Sequence, residues 1–497
     1  MTTYNSTIRS RARIQPPTDY RVATLATMRT IVPKVEIQWD GISWTDESAY
    51  ILSIRGDAEL SGDLGEASSA QIDVELDNTT DRFTPTNSLG ALYGYFEPRV
   101  AIRIGIDFND TDYYVKLFTG YIKSYQPKFS SRICNLHCFD NLKFILNQDS
   151  PYGDVYTDYR IDELIKVLLD YAGLTNYDLD ESTQTVNGAW FNGEKLIHTL
   201  INELTIAERG RSFFDAYGTF KFWNKNRLHD MQPVITLTKS DNILDIDYQV
   251  AEHVMKNKIT VEATPRGAMG LQQVWSNIDP EIADIYSDSL VFITAGEQQS
   301  AWIELEDPAT GWVEPIADTD YTANAAADGS GTDLTSSIEI TTFNTYAKSA
   351  FITVRNNSAT DAYLTKFSIR ANPVKIYKYI RVIAKDETSM QNYGVKDVLY
   401  QNMYIDSETQ ANAIAYEELE RWKSSLNTYN VVIRGVPYLY VGDIVKLEVE
   451  DSTYAEFMIS RMSWSVNNNG QYEQSLTLVD PIAMMTLQTI TAKACIA

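Results

Sequence analysis

Two widely separated stretches of this chain are written to one plan. The first, Val100 to Asp140, reads VAIRIGIDFNDTDYYVKLFTGYIKSYQPKFSSRICNLHCFD, and the second, Ile444 to Asp480, reads IVKLEVEDSTYAEFMISRMSWSVNNNGQYEQSLTLVD. Each has an alternating strand, a polar turn (Asn109–Asp112; Asp451–Thr453) and a strand with an aromatic–aliphatic step (Leu117-Phe118; Phe457-Met458). That strand runs on unbroken to an aromatic (Tyr125; Trp464), turns, and returns through a further strand to an Asp. Alternation sends every second side chain to one face, so each stretch reads as a meander with one buried side. Self-similarity of this kind points to one small β-barrel used twice, the alternative being two unrelated meanders, since short meanders all look alike. Three such chains would display six similar faces, matching a six-fold partner on one side and a three-fold partner on the other.

Around the repeat the chain divides by pattern. Its 497 residues suggest roughly three domains at about 150 residues each. Residues 1–30 carry five arginines (Arg9, Arg11, Arg13, Arg21, Arg29) against Asp19, and read either as a frayed terminus or as a basic arm on an acidic neighbour. Residues 31–148 read as the first barrel, with strands at Val35–Trp39, Tyr50–Arg55, Ala70–Leu76 and Val100–Phe108. Residues 149–232 read as an α+β module of two helices and a hairpin. Ile161, Leu164, Ile165 and Leu168 line one helix, capped at Thr157 or Asp158 and closed at Gly173; Ile197, Leu200, Ile201 and Leu204 line the other. Residues 233–267 and 373–482 read as the second barrel, with one long helix near 407–426 opened by a Ser407/Gln410 capping box. Residues 268–372, rich in Thr, Ser, Ala, Asn and Asp, read as a β-sandwich-like insertion, and 483–497 as a C-terminal tail.

Composition narrows the function. Lys+Arg 42 against Asp+Glu 67 gives a net charge of −25, which repels phosphate across the surface and disfavours a general nucleic-acid binder. No apolar run approaches the roughly 18 residues that span a bilayer, so no membrane span is expected, and the opening residues show no secretory signal. Three cysteines make no disulfide framework. No phosphate-binding loop, dinucleotide turn, HExxH helix or GxSxG elbow occurs, so no cofactor and no catalytic residue is assigned. On a strand, Cys134, Leu136 and Cys138 share one face and His137 the other, which favours burial over a zinc site. Asp77, Asn78 and Asp81, and separately Asp107, Asn109, Asp110 and Asp112, offer oxygen ligands for Ca²⁺ without EF-hand order, and turn chemistry explains them. The acid pairs Asp178/Asp180 and Asp245/Asp247 read as solvated faces rather than glycosidase carboxylates. Trp302 and Trp312 in the insertion are candidates for stacking on sugars, with core packing the favoured alternative.

The order of segments LDNTTDRFTP, EPRVAIRIG, LFTGYIKSY, DELIKVLLDYAGL, FFDAYGTFKFW, ETSMQNYGVKDV, RWKSSLN, VPYLYVGDIVKLEV and FMISRMSWSVNNNGQYEQSLTLVDP resembles the baseplate hub and tail-hub (minor tail) proteins of tailed bacteriophages and related contractile injection systems. The resemblance covers about residues 35–265 and 372–482. It implies a mainly β fold with two tail-tube-like barrels, in a homotrimer that adapts the hexameric tail tube to a three-fold tip. It also implies attachment to distal-tail, tape-measure and tip or fibre proteins, and a place in the virion tail tip after assembly in the host cytoplasm. Acids lining its channel would let DNA pass without sequence-specific binding. The rival readings are a carbohydrate-binding adhesin, with the insertion meeting a host cell-surface glycan, and a peptidoglycan hydrolase.

Overall fold

The computed structural model of the chain describes residues 16–26, 28–59, 70–109, 111, 113–142, 148–229, 232–251, 255–278, 291–423, 426–467 and 470–479. Its main feature is a continuous thirteen-stranded sheet. The front of the chain supplies β1 (Ile31–Gln38), β2 (Thr45–Asp46), β3 (Ile51–Glu59), β4 (Gln71–Asp77), β5 (Val100–Phe108), β6 (Val115–Lys128) and β7 (Ile133–Phe139). The back supplies β8 (Thr236–Leu237), β9 (Ile243–Ala251), β10 (Leu426–Arg434), β11 (Ile444–Glu450), β12 (Thr453–Asn467) and β13 (Tyr472–Val479).

The two halves have the same strand order, β3-β4-β7-β6-β5-β1 in front and β9-β10-β13-β12-β11-β8 behind. Two of the irregularities match too, whereas the β5·β6 ladder skips Leu117 on β6 and the β11·β12 ladder skips Val449 on β11. The β3·β4 ladder skips Leu52 where β9·β10 skips Leu244. The β6·β7 ladder skips Lys123 where β12·β13 skips Ser460. A bulge adds one residue and bends its strand, so matched bulges fix which residues correspond. Ile54 answers to Ile246, Gly56 to Tyr248, Tyr125 to Met462 and Pro127 to Trp464, so the aromatics Tyr125 and Trp464 that look alike in the sequence are two residues out of step. The meanders also open alike: Arg99 N–H donates to the Ile122 carbonyl (3.1 Å) and Gly442 N–H to the Ile459 carbonyl (2.8 Å). Both donors sit in left-handed backbone, at φ 69° and 92°. The sixth strands differ, since β1 runs antiparallel to β5 over eight residues whereas β8 is parallel to β11 over two.

One apolar cluster runs through both halves, from Ile37, Ile54, Ile102 and Leu136 to Ile433, Leu447, Trp464 and Leu478. The described N-terminal residues join it. Thr18–Leu25 is a helix, and its Tyr20 is fully buried, donating its hydroxyl to the Ile106 carbonyl (2.9 Å) with its ring edge-on to Phe108 and Tyr113. Arg29 donates to the carbonyls of Thr24 (2.6 Å) and Gly435 (2.9 Å) and lies over the Phe108 ring. This stretch is therefore tied to its own chain, not extended; Arg9, Arg11 and Arg13 lie outside the described residues.

A second core joins segments that the sequence reading keeps apart. Helices Ile161–Tyr171 and Ile197–Glu208 share buried residues with strands Lys258–Ala263 and Ile380–Lys385 and with helix Glu408–Trp422. Gln410 donates to the Ala207 carbonyl (2.8 Å), Asn402 to the Glu203 carbonyl (2.7 Å), and Arg209 pairs with Glu417. The long helix expected in the second barrel thus packs on the α+β module, because Ala411, Ile414, Ala415 and Leu419 find their apolar cover there. Its cap is half of the expected box: Ser407 Oγ accepts from Gln410 N–H, while the Gln410 side chain accepts from Asp406 N–H. The first module helix starts at Ile161, with Glu163 accepting from Arg160 N–H, later than a Thr157 or Asp158 cap would place it. In the insertion, strands paired along Ala362–Ile376 and the trio Gln298–Glu304, Ile338–Thr345 and Ser349–Asn356 share a third core.

Asp406 sits at the second core. One of its carboxylate oxygens accepts from Asn187 N–H (2.7 Å), while Oδ1 is buried without a partner. Burial raises its pKa to about 6. Its folded pKa lies above the unfolded value, so the folded state holds the proton longer and this group's contribution declines as pH rises from about 4 to 6. Asp406→Asn keeps an acceptor for Asn187 and removes the charge. Its stability relative to the parent, measured by urea unfolding, should improve by roughly 1–2 kcal/mol between pH 4 and pH 7, allowing for partial exposure.

Candidate assembly site

The two halves meet where β3 pairs with β12, from Ser53 opposite Asn467 to Glu59 opposite Arg461. β12 is long enough to serve both halves: β13 takes one edge, while β11 covers the start of the other and β3 its end. On the core side, Ile54 faces Val466 and Gly56 faces Trp464, whose indole is only 6% exposed. A Cβ at residue 56 would come within 2.2 Å of that indole, so the position admits only glycine without rearrangement. On the outer side, Arg461 forks onto both carboxylate oxygens of Asp57 at 3.2 Å. Exposed pairs of this kind contribute about 0–1 kcal/mol, so the ladder and the buried side chains hold the junction.

The corresponding edges elsewhere carry no further strand among the described residues. Among the described residues, β9 has β10 as its one strand neighbour, and β6 beyond Ile122 has only β7. Large apolar side chains are exposed at both places: Leu244 and Tyr248 on β9, and Phe129 just past β6. Open edges are ready templates for another strand. Sequence reading passed over them because period-two alternation is the same for an edge strand and an interior one.

The residues singled out by sequence fall in separate places. Cys134 and Cys138 are buried, with the Cys134 thiol pushed up to about 11 by burial, and His137 on the opposite face pairs with Asp73. Among the described residues no three His, Cys, Asp or Glu side chains converge as a metal site. Asn78 is a turn organiser, accepting from Phe83 N–H (2.7 Å) and donating to Thr84 Oγ1 (2.9 Å). Asp107 accepts from Thr111 Oγ1, and Asn109 from Thr30 N–H (2.6 Å); Asp110 and Asp112 lie outside the described residues. Asp178 pairs with Lys221 and Asp180 with Arg227, whereas Asp245 and Asp247 are exposed on the open edge of β9. The tryptophans part company. Trp312 packs against the insertion core and donates Nε1–H to the Ala309 carbonyl (3.1 Å). Trp302 is 53% exposed, with the Tyr346 and Phe351 rings 5.6 and 5.1 Å away.

No family model and no curated protein sequence matches the chain. Among solved structures it is similar to the 43 kDa tail protein of prophage MuSo2 from Shewanella oneidensis, at 10% identity and TM-score 0.49 over 91% of this chain and 99% of that one. A tail protein from Neisseria meningitidis gives 10% identity and TM-score 0.49, over 91% and 96%. Prophage tail protein gp18 from Listeria monocytogenes gives 7% and 0.44, over 94% and 98%.

Gly56→Ala should destabilise the chain by about 1–3 kcal/mol through overpacking against Trp464, read as a lower urea midpoint. The same change at Gly153, where an added Cβ meets nothing within 4 Å, should leave the midpoint nearly unchanged.

Proposed function

We propose that this chain is a structural hub of a phage tail tip, a non-catalytic subunit whose three copies close a ring around the DNA path. The observation that carries the reading is the duplication: one six-strand order occurs twice, with matching bulges in the β3·β4 and β6·β7 ladders and their counterparts. Each half folds as a barrel. A duplicated unit lets a three-fold assembly offer six near-equivalent faces, which joins a six-fold tube to a three-fold tip. The α/β body and the insertion, whose two sheets form a sandwich, stand outside this repeat and face tape-measure, distal-tail and fibre partners. Excess acid along the channel leaves phosphate few cations to bind, so DNA passes without being held.

The purified protein should have three times the 56.3 kDa mass of one chain by light scattering, and electron-microscopic averages should show three-fold symmetry with six similar lobes around a hole. A monomer at every concentration, or clearing of peptidoglycan in a zymogram, would overturn the reading.

A second reading concerns the insertion alone. Trp302 and Tyr346, with the half-buried Phe351 beside them, make an aromatic face, the kind of surface on which a sugar ring stacks. On this reading the hub also touches a host cell-surface glycan. Trp302→Ala should abolish binding on a glycan array while the trimer persists, and Trp312→Ala should act only through stability.

A further inference from the structure

Within the chain, the outer edge of β3 is covered by a strand of the other half, β12. The counterparts of these two strands are β9 and β6, the strands whose matching edges carry no further strand among the described residues. Resting on the ring reading above, we propose that these edges pair with each other between neighbouring copies. β9 of one chain runs antiparallel to the second half of β6 of the next, extended through Ser130, and the contact repeats the β3·β12 junction.

The matched bulges fix the register of this contact. Carrying Ile54·Val466, Arg55·Ser465 and Gly56·Trp464 across to the corresponding positions sets Ile246 opposite Phe129, Asp247 opposite Lys128, and Tyr248 opposite Pro127. Each pair is chemically compatible. Phe129, 69% exposed in the single chain, meets Ile246 where the internal junction buries an aliphatic pair. The internal junction sets a small residue under an indole. Between copies the large aromatic changes strand, and Tyr248, 54% exposed, covers Pro127. On the outer face, Asp247 and Lys128, both exposed, meet as opposite charges directly across the ladder.

The pairing satisfies backbone N–H and C=O groups that an edge strand otherwise leaves to water. Pro127 gives no N–H, which keeps this edge from accepting any passing strand equally well. The two surfaces are different, so the contact is head-to-tail and must close on itself or run on as a filament. On the ring reading, alternating internal and external junctions gives six steps over three chains, and the ring closes where each step turns by a sixth of a circle.

The test places one cysteine on each strand, Asp247→Cys with Lys128→Cys, in a Cys495→Ser background. Residues directly opposed in an antiparallel ladder lie within disulfide reach. Oxidation should convert the double variant to covalent dimers and trimers on a non-reducing gel, reversed by dithiothreitol. Either single variant alone should stay monomeric on that gel, and a mixture of the two should give dimers. Lys128→Asp should weaken the trimer at least tenfold in a dilution series, with Asp247→Lys restoring it. A trimer by light scattering without cross-links would overturn the pairing and leave the ring standing. A monomer by light scattering would remove both.

Discussion

The pairing of β3 with β12 is the constraint on which the rest of the sheet depends. It is a seven-residue ladder between strands that the chain places far apart, and it makes two separate meanders into one sheet with one core. Its register has little freedom. Moving either strand by one residue would send every core side chain to the outer face, and the indole of Trp464 has room only opposite Gly56. The bulges at Leu52 and Ser460 bend the two strands close to where they meet, so the halves are held at a defined angle rather than linked as beads.

Around that joint the chain makes two excursions. It leaves the sheet after β7, returns for β8 and β9, leaves again, and returns at β10. Parts of both excursions build a single α/β body. The first supplies helices Ile161–Tyr171 and Ile197–Glu208, the second the strands of Lys258–Ala263 and Ile380–Lys385 and the helix Glu408–Trp422. The two excursions share one apolar cluster, running through Leu204, Ile259, Val382 and Ile414. The insertion is a further departure within the second excursion and keeps its own core.

The acidic character is distributed with the same economy. Acids that enter the interior are held by specific donors. Glu47 is fully buried beneath a bidentate Arg82 and the Trp39 indole N–H, and Asp320 receives both arms of Arg370. Glu208 takes hydrogen bonds from Ser182, Thr183 and Gln184. Burial of these charges is tolerable because each is paired or hydrogen-bonded. Other acids, such as Asp245 and Asp247, lie exposed on the surface.

Local pattern was enough to read several of the elements, though not the strand Ile243–Ala251. Alternation from Val100 to Phe108 named a strand to the residue, the spacing of Leu164, Ile165 and Leu168 named a helix, and the likeness of the two meanders announced a repeated unit. These depend only on which face of a strand or helix is apolar, a property carried by neighbours in sequence. The repeat turned out larger than the text shows: β3, β4, β9 and β10 recur in order and bulge although their residues share little, since a sheet conserves backbone pairing and burial while side chains drift. What covers each apolar face was decided only in three dimensions. The helix at Glu408–Trp422 could have closed a barrel, and Trp302 and Trp312 look alike in the sequence; packing put the helix on the α/β body, one tryptophan inside and the other out. Amphipathicity states that a face must be buried, and only the folded chain, by bringing distant segments together, says against what.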